Sequence, residues 1–375
     1  MALNNHGWTL IMNGNFRNPN DPMPLTARDS INIDGLNIAL GTLGKPNSNT
    51  WMNWGGINDR GQAVGMSETS VPDPDGEDFC GFGTKLTCRP FLWQNGQMTA
   101  LPMLGGNNGF ASDINDAGQI AGTAQTTVTD SQCAPNQTIS PVLWANGNAQ
   151  PQHLPTVDKE PDGVAFAIND LGQAVGYSGT CLLALHAVLW ENGAATPLDD
   201  IKGGAIAQGI NHLGQIAGTI GSPDGITQYA ALWQNDANHT LTNLGTLPGD
   251  FAAIGTGINN RGQVVGSTQD SSFHWLRAFI WQNGVMTDLN TLFPASSNLF
   301  ATMANKINER GQISGMATVL SGPDTGKIHA FLATPVNASV GKSIADIAPT
   351  PPQSNLPANV GQQLLQRVKL GRSER

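Results

Sequence analysis

The sequence predicts an all-β protein, a β-propeller of six four-stranded blades. The hairpin motif Ile-Asn-x-x-Gly-Gln-x-x-Gly occurs six times, and every copy but the last is followed by a strand-like segment ending in Leu-Trp or Ile-Trp. Each unit then continues into a Leu-x-x-Leu type segment, which we take as the end of a fourth strand. Units of four short strands with this spacing are typical of propeller blades. The motif copies begin at Ile57, Ile114, Ile168, Ile210, Ile258 and Ile307.

The turn residues support this division into strands. Asn-x-x-Gly fits a type I turn followed by a residue in the left-handed region, where glycine is favoured. Asn95-Gly96 and its counterparts after the other tryptophans give a second tight hairpin in most units. We expect Gln62 and the equivalent glutamines to hydrogen-bond the backbone of the next blade.

These segments resemble the HAF family of probable extracellular repeats, found mainly in bacteria. The family's repeats carry HAFLW-like, Leu-Gly-x-Leu and INxxGQxVG segments, and the resemblance covers about residues 31 to 335. It implies an extracellular or cell-surface protein, and it implies no specific activity.

The expected ring is permuted. A strand at 36–43 precedes the first hairpin and the last strand lies at 328–334, so pairing of these N- and C-terminal strands would complete the sixth sheet and close the ring. Seven blades is the alternative, if residues 1–30 supply further strands. We divide the chain into an irregular N-terminal segment (1–30), the propeller (31–335), and a Pro-rich linker with a C-terminal tail (336–375) whose apolar spacing suits a short helix.

Composition excludes several classes of partner. The net charge of -10 argues against nucleic acid, which needs a basic face. No apolar run is long enough to span a membrane. The first residues lack the basic region and apolar core of a signal peptide, so a secreted form would have lost its signal. We expect a monomer.

All four cysteines fall in connections between strands two and three. Cys80 and Cys88 share one connection, while Cys133 and Cys181 belong to adjacent blades. We expect two disulfides in an oxidising compartment, with four free thiols as the alternative. These connections, together with those from strand four to the next blade, vary in length and share one face. Binding sites usually lie on such loops.

Two sets of side chains are candidates for ligand binding on this variable-loop face. Aromatic rings could stack on a sugar, and a basic position before strand three could face an anion. The alternatives are rings that plug the loops onto the propeller and basic groups that pair with a neighbouring blade. The candidates are Trp51, Trp54, Phe273, His274 and Trp275, and the basic-position residues Arg89, His186, Arg277 and His329.

A metal site is a weaker candidate. Asp73, Asp75 and Asp78 in VPDPDGED resemble part of a calcium loop, but the full spacing and its closing Glu are missing. A solvated acidic turn is the alternative. Calcium is the one cofactor that the sequence suggests.

The sequence supports three functional hypotheses. The first is a secreted or surface propeller that binds a glycan or a protein on the variable-loop face. The second is a polysaccharide lyase or hydrolase with an acid/base site on that face or at the central channel. The third is a scaffold without a small ligand. No local catalytic motif is present, which leaves the enzyme open because propellers can assemble sites from separate blades.

Overall fold

The computed structural model describes residues 1–16, 24–45, 48–51, 56–133, 136–181, 183–198, 203–272 and 274–336. For residues 12–16, 24–27 and 51 it describes the backbone alone. The C-terminal tail predicted beyond Pro335 therefore lies almost entirely outside the described residues. Within them, no helix is long and apolar enough to cross a membrane.

The fold is a propeller of seven blades, each an antiparallel sheet of consecutive strands. The prediction of six blades is therefore wrong, and the seven-blade alternative is right. Residues 1–30, which we expected to be irregular, supply three strands of an additional first blade. The predicted pairing of N- and C-terminal strands does not occur, because the strand at 36–39 belongs to blade 1 and the last blade has three strands of its own.

The strands run in chain order from the innermost to the outermost position of each blade. Blades 1 to 3 consist of β1 Ala2–Leu3, β2 Thr9–Phe16, β3 Pro24–Ile33 and β4 Leu36–Ala39; β5 Thr50–Trp51, β6 Ala63–Pro72, β7 Leu86–Gln94 and β8 Gln97–Ala100; and β9 Gly109–Ile114, β10 Ile120–Thr129, β11 Gln137–Trp144 and β12 Gln152–His153.

Blades 4 to 7 continue the same pattern. They consist of β13 Asp162–Ile168, β14 Ala174–Thr180, β15 Leu183–Glu191 and β16 Ala194–Pro197; β17 Ala205–Ile210, β18 Ile216–Gly221, β19 Gln228–Trp233 and β20 Leu241–Gly245; β21 Ala252–Ile258, β22 Val264–Gln269, β23 Trp275–Gln282 and β24 Val285–Asp288; and β25 Leu299–Ile307, β26 Ile313–Val319 and β27 Ile328–Ala333. Short 3-10 turns occupy Val157–Lys159 and Leu289–Leu292.

The fourth strands are shorter than predicted. In blade 2 the strand ends at Ala100, and Leu101 to Leu104 follow it in the connection to the next blade. Leu101 still lies against the sheet, because its backbone N–H donates to the carbonyl of Pro90 at 2.8 Å. The Leu-x-x-Leu segment thus anchors the connection rather than extending the strand.

The repeated hairpin has the predicted turn. Gly61 has φ +73° and donates its N–H to the carbonyl of Asn58, and the N–H of Asn58 bonds the carbonyl of Gln62. The same geometry recurs in all seven blades with a positive-φ glycine, including Gly7 of blade 1 at φ +85°. Leu3-Asn4-x-x-Gly7-Trp8 is therefore a seventh, divergent copy of the motif.

The asparagine of each hairpin bonds the next blade, and together these bonds form a closed ring. Asn58 Nδ2 donates to the carbonyl of Asn115 at 3.0 Å, and the step is repeated around the axis until Asn308 donates to Asn4 at 2.9 Å. All seven bonds are 2.9 to 3.1 Å long; their donors are Asn4, Asn58, Asn115, Asn169, Asn211, Asn259 and Asn308.

The glutamine has a different role from the one we predicted. Gln62 Oε1 accepts the second proton of Asn58 Nδ2 at 2.7 Å, and Gln62 Nε2 donates to Gln94 on strand three of the same blade at 2.7 Å. Glutamine thus orients the ring asparagine, and asparagine makes the contact between blades.

The core lies between neighbouring sheets. Trp144, Trp190 and Trp233 are fully buried, and each belongs to a cluster that draws apolar residues from two adjacent blades. Trp144 Nε1 donates to the carbonyl of Pro102, and Trp190 Nε1 to that of Pro155. Burial of these large rings between sheets favours the stacked ring.

We expect Asn169→Ala to lower the free energy of unfolding by about 2 to 4 kcal/mol. The buried side chain makes four hydrogen bonds, and its removal leaves their partners unpaired. Asn169→Asp keeps both acceptor bonds within the turn but loses the donor to Asn211. If bonding between blades matters, Asp is at least as destabilising as Ala in urea unfolding at neutral pH. A near-neutral Asp variant would restrict the role of Asn169 to capping its turn. Asn238→Ala, at an exposed site, is the control.

Candidate functional site

The central channel contains one charged pair. Two residues before each ring asparagine, five blades have alanine or glycine, whereas blade 3 has Asp113 and blade 7 has Lys306. Blades 3 and 7 are not neighbours, yet Lys306 Nζ lies 3.6 Å from Asp113 Oδ2. Both residues line a cavity of about 150 Å³ at the ring. Desolvation raises the pKa of Asp113, while the charge of Lys306 acts in the opposite direction.

A second ring surrounds the mouth of the channel, formed by the residue that follows each ring asparagine. Most of these side chains accept a backbone N–H from the preceding blade; Asp116 Oδ1, for example, accepts from Asp59 N at 2.8 Å. Burial raises the pKa of Asp116, and the charges of Asp59 and Asp170 act in the same direction. His212 Nε2 lies 3.2 Å from Asp170 Oδ2. The members are Asn5, Asp59, Asp116, Asp170, His212, Asn260 and Glu309.

On the opposite face, both predicted disulfides are present. Cys80 in the blade 2 connection pairs with Cys88, which lies on strand β7 and not in the connection as predicted, and Cys133 pairs with Cys181 between blades 3 and 4. No cysteine is free. The alternative of free thiols is therefore excluded, and the loops of three successive blades carry covalent cross-links.

The acidic loop of blade 2 braces blade 3. Asp73 Oδ1 accepts the backbone N–H groups of Asp75 and Glu77, and Asp73 Oδ2 accepts Asn108 Nδ2 at 2.7 Å. Glu77 accepts Gln125 Nε2 at 2.8 Å. These carboxylates are thus already hydrogen-bonded to amide groups, which explains how the buried side chain of Asp73 is tolerated in an otherwise exposed loop.

The candidate calcium ligands do not meet in a common site. Asp75 bonds Asn107, and Asp78 accepts the N–H of Gly83. Among the described residues, the one grouping of three side chains with metal-ligand atoms is Asp130 with Cys133 and Cys181, whose sulfurs form a disulfide. Calcium binding by Asp73, Asp75 and Asp78 stays a prediction that this geometry does not favour.

Two of the aromatic candidates, His274 and Trp275, have side chains that the structure describes. Trp275 is 3% exposed and packs with Ile254 and Met303. His274 bonds Asp270 through its Nδ1 at 3.0 Å. The side chain of Trp51, and Trp54 and Phe273 as a whole, lie outside the described residues. For Trp275 the structure supports the alternative interpretation, a ring that secures the loops.

A buried aromatic cluster closes the same face over blades 2 to 4. Phe82 of the cross-linked loop packs in a cluster that includes Phe110, Phe166 and Tyr177. Phe166 and Tyr177 lie with ring centroids 5.8 Å apart. The cluster joins the loop of blade 2 to the sheets of blades 3 and 4, so it stabilises this part of the surface as one unit.

Three of the four candidate basic residues have acidic partners. His186 Nδ1 lies 2.9 Å from Glu160 Oε1, and His329 Nε2 lies 3.7 Å from Asp324. Arg277 lies 2.7 Å from Asp250 and 3.3 Å from Asp288. Arg89 differs, because its guanidinium has no hydrogen-bond or ion-pair partner among the described residues. It is half-buried, and desolvation lowers its pKa.

Sequence reasoning did not identify the channel pair or the acidic partners. Asp113 and Lys306 could have been found, since both interrupt a position that is otherwise alanine or glycine in every copy of the motif. Glu160 and Asp250 give no such signal. Each lies in a connection, and about half a repeat of sequence separates it from its basic partner.

No family model and no curated protein matches the chain. Among solved structures, the acylaminoacyl peptidase of Pyrococcus horikoshii is similar with 9% identity and a TM-score of 0.50, covering 88% of this chain and 50% of that one. This chain thus spans half the length of that enzyme. The β-propeller domain of the Trilobed protease from Pyrococcus furiosus has 8% identity, a TM-score of 0.48 and coverage of 87% and 91%. At such identities the first likeness shows a shared propeller fold and nothing further.

We expect the inter-blade disulfide to contribute more stability than the local one. Cys133–Cys181 spans 48 residues and Cys80–Cys88 spans 8, so the loop-closure entropy corresponds to about 4 and about 2.6 kcal/mol, respectively. The measurement is urea unfolding of the two double-serine variants. An equal or smaller loss for Cys133→Ser/Cys181→Ser would mean that the fold already restrains blades 3 and 4.

Proposed function

We propose that this protein is an extracellular or cell-surface propeller that binds a ligand, a glycan or a protein, on its variable-loop face. The observation that carries the proposal is the cross-linking of the connections on this face across blades 2, 3 and 4. A disulfide, the carboxylate–amide bonds of Asp73 and Glu77 and the aromatic cluster hold these loops together. Preorganised loops lose little entropy on binding, which increases affinity.

The opposite face offers fewer adaptable groups. Its inner turns repeat one motif in every blade, and the asparagines and most of the residues that follow them already bond the next blade. Variation in this region would disturb ring closure. The variable-loop face has no such constraint, so the chain can present a specific surface there without altering the ring.

The variable-loop face also exposes aliphatic side chains at the tips of its longest strands. Val71 and Val128 are 58% and 62% exposed. Each follows a pair of threonine hydroxyls that bond one another, Thr69 with Thr87 and Thr126 with Thr138. Apolar groups beside hydroxyls suit both the faces and the edges of sugars, and they also suit a protein partner.

The localisation that we propose rests on the two disulfides and on the family resemblance. Two disulfides persist in an oxidising compartment, and the HAF resemblance implies an extracellular protein. The resemblance stays a prediction, as does the expectation of a monomer.

The two faces can be compared with matched substitutions. Val128 on the variable-loop face and Leu171 on the hairpin face are 62% and 70% exposed. We expect Val128→Arg to abolish binding found on a glycan array or with a purified partner, because a long charged side chain blocks the loop surface. Leu171→Arg should bind as the unmodified protein does. The same loss in both variants, or loss in Leu171→Arg alone, would contradict the proposal.

A second candidate is a hydrolase or lyase with its acid/base pair in the channel. The observation in its favour is Asp113, an acid with a raised pKa 3.6 Å from Lys306 in a cavity. An acid beside a basic group in a partly desolvated cavity is an arrangement that can serve acid–base chemistry.

This candidate predicts turnover of a polysaccharide substrate that falls about a hundredfold or more in Asp113→Asn and Lys306→Met. Asp59→Asn, which changes a carboxylate at the channel mouth, is the control and should keep most of the activity. The measurement is reducing-end release or unsaturated product across a polysaccharide panel. Turnover that persists in both channel variants would place the active site elsewhere.

A further inference from the structure

Blades 4 and 6 share a local arrangement on the variable-loop face, in which an acid, a hydroxyl and a basic group meet. In blade 4, Glu160 accepts the hydroxyl of Ser178 and pairs with His186. In blade 6, Asp250 accepts the hydroxyl of Thr268 at 2.5 Å and pairs with Arg277 at 2.7 Å. The hydroxyl and the basic group lie on adjacent strands, and the acid comes from the connection that enters the blade.

The acid occupies the same place in both connections. It stands three residues after an aliphatic residue, Val157 in blade 4 and Leu247 in blade 6. In blade 4 the N–H of Val157 also donates to Ser178 Oγ at 3.1 Å, which fixes the start of the connection against strand two.

Blade 2 has all of this arrangement except the acid. The N–H of Leu43 donates to Ser67 Oγ at 3.0 Å, and Arg89 lies opposite Ser67 on the next strand. Three residues after Leu43 the chain has Pro46, and residues 40–50 contain no Asp or Glu. Asp288, the second partner of Arg277, is replaced at the equivalent ladder position by Ala100.

The absence of the acid leaves Arg89 uncompensated. Its guanidinium is partly removed from water and has no partner among the described residues, whereas Arg277 has two carboxylates. Blade 3 gives the internal comparison, because it has Ser140 in place of the basic group and Ala124 in place of the hydroxyl. There the basic group and its acid are both missing. A desolvated cation without a partner costs stability unless something else supplies the negative charge.

We propose that a carboxylate of the ligand binds Arg89 in the place of the missing acid, and that this ligand is a glycan containing uronic acid. The inference rests on the proposed function, since it specifies the ligand of the same face. In blades 4 and 6 the equivalent basic side chains, His186 and Arg277, pair with carboxylates. A guanidinium can bind a planar carboxylate through two parallel hydrogen bonds.

The surroundings favour an acidic sugar over other anions. Arg89 presents one guanidinium at this site on a protein of net charge -10, which suits a ligand whose carboxylates are separated by neutral groups and disfavours polyphosphates and strongly acidic peptides. Hydroxyl and amide groups on this face include Thr69, which bonds the buried Thr87, and Asn107, which bonds Asp75. Such groups match sugar hydroxyls.

The test is calorimetric titration with trigalacturonic acid and with its fully methyl-esterified form, which has the same shape without the charge. We expect the unmodified protein to bind the acid and to bind the ester about ten- to a hundredfold more weakly, the usual effect of losing one charged hydrogen-bonded pair. Arg89→Gln should lose the same factor. Arg60→Gln, at an exposed arginine on the hairpin face, should bind normally.

Pro46→Glu gives an independent check that keeps Arg89. It puts an acid three residues after Leu43, as Glu160 stands three residues after Val157, so we expect an internal carboxylate to compete with the ligand and to weaken binding by a similar factor. Thermal unfolding of each variant shows whether it is folded. Even if Arg89→Gln proves unstable, the ester comparison on the unmodified protein still decides the question of charge.

The outcomes separate this inference from the proposed function. Equal binding of acid and ester, or unchanged binding by Arg89→Gln, overturns the carboxylate site. Binding of a neutral glycan or a protein that Val128→Arg abolishes, without binding of the acid, overturns the inference and leaves the proposed function standing. Arg89-dependent binding of an acidic peptide but not of the oligosaccharide overturns the glycan as source. No binding on the variable-loop face contradicts both.

Discussion

Seven asparagine side chains close this propeller, each donating from Nδ2 to the carbonyl of the asparagine in the next blade. Among the described strands none is shared between the two ends of the ring, and blade 7 contacts blade 1 through the same kind of bonds as the other blades, from Asn308 to Asn4 and from Glu309 N to Asn5 Oδ1. Six of these amides use both protons and the oxygen, which leaves each one orientation and fixes the distance between neighbouring hairpins; Asn4, which has no glutamine beside it, uses one proton and the oxygen. The recurring sequence follows from this geometry, because glycine makes the turn and glutamine orients the asparagine.

Closure at one end leaves the other end free to vary. The hairpins are nearly identical because each must bond two neighbours. The connections on the opposite face share no common bond, so their contacts differ from blade to blade. Blades 2 to 4 use this freedom for two disulfides, a carboxylate brace and an aromatic cluster. Blades 4 and 6 use it to pair an acid with a basic side chain, and blade 2 retains the basic side chain without the acid. Function is therefore expected where the repeats differ.

The sequence predicted the class of fold, the hairpin turns and the two disulfides, because turn chemistry and cysteine placement are local signals. It missed blade 1 because Leu3 and Trp8 replace the isoleucine and glutamine of the motif, and Asn4 and Gly7, the two residues that the ring and turn need, are a weak pattern by themselves. It also assigned contact between blades to the glutamine, since the two amides cannot be distinguished without the direction of the side chains. At the candidate site, Arg89 was found as a basic position. Its difference from Arg277 depends on Asp250 and Asp288, which the fold brings close and the sequence does not.

Closure of the ring by asparagine side chains can be tested by hydrogen exchange of side-chain amides in protein labelled selectively with ¹⁵N-asparagine. Each ring Nδ2 donates inside the structure and should exchange far more slowly than that of an exposed asparagine such as Asn238. We predict seven slowly exchanging Nδ2 amide groups at the ring, including that of Asn4. The signal of each should disappear in its own Asn→Asp variant. Rapid exchange at Asn4 together with protection of the other six would contradict a ring in which the first blade closes onto the last.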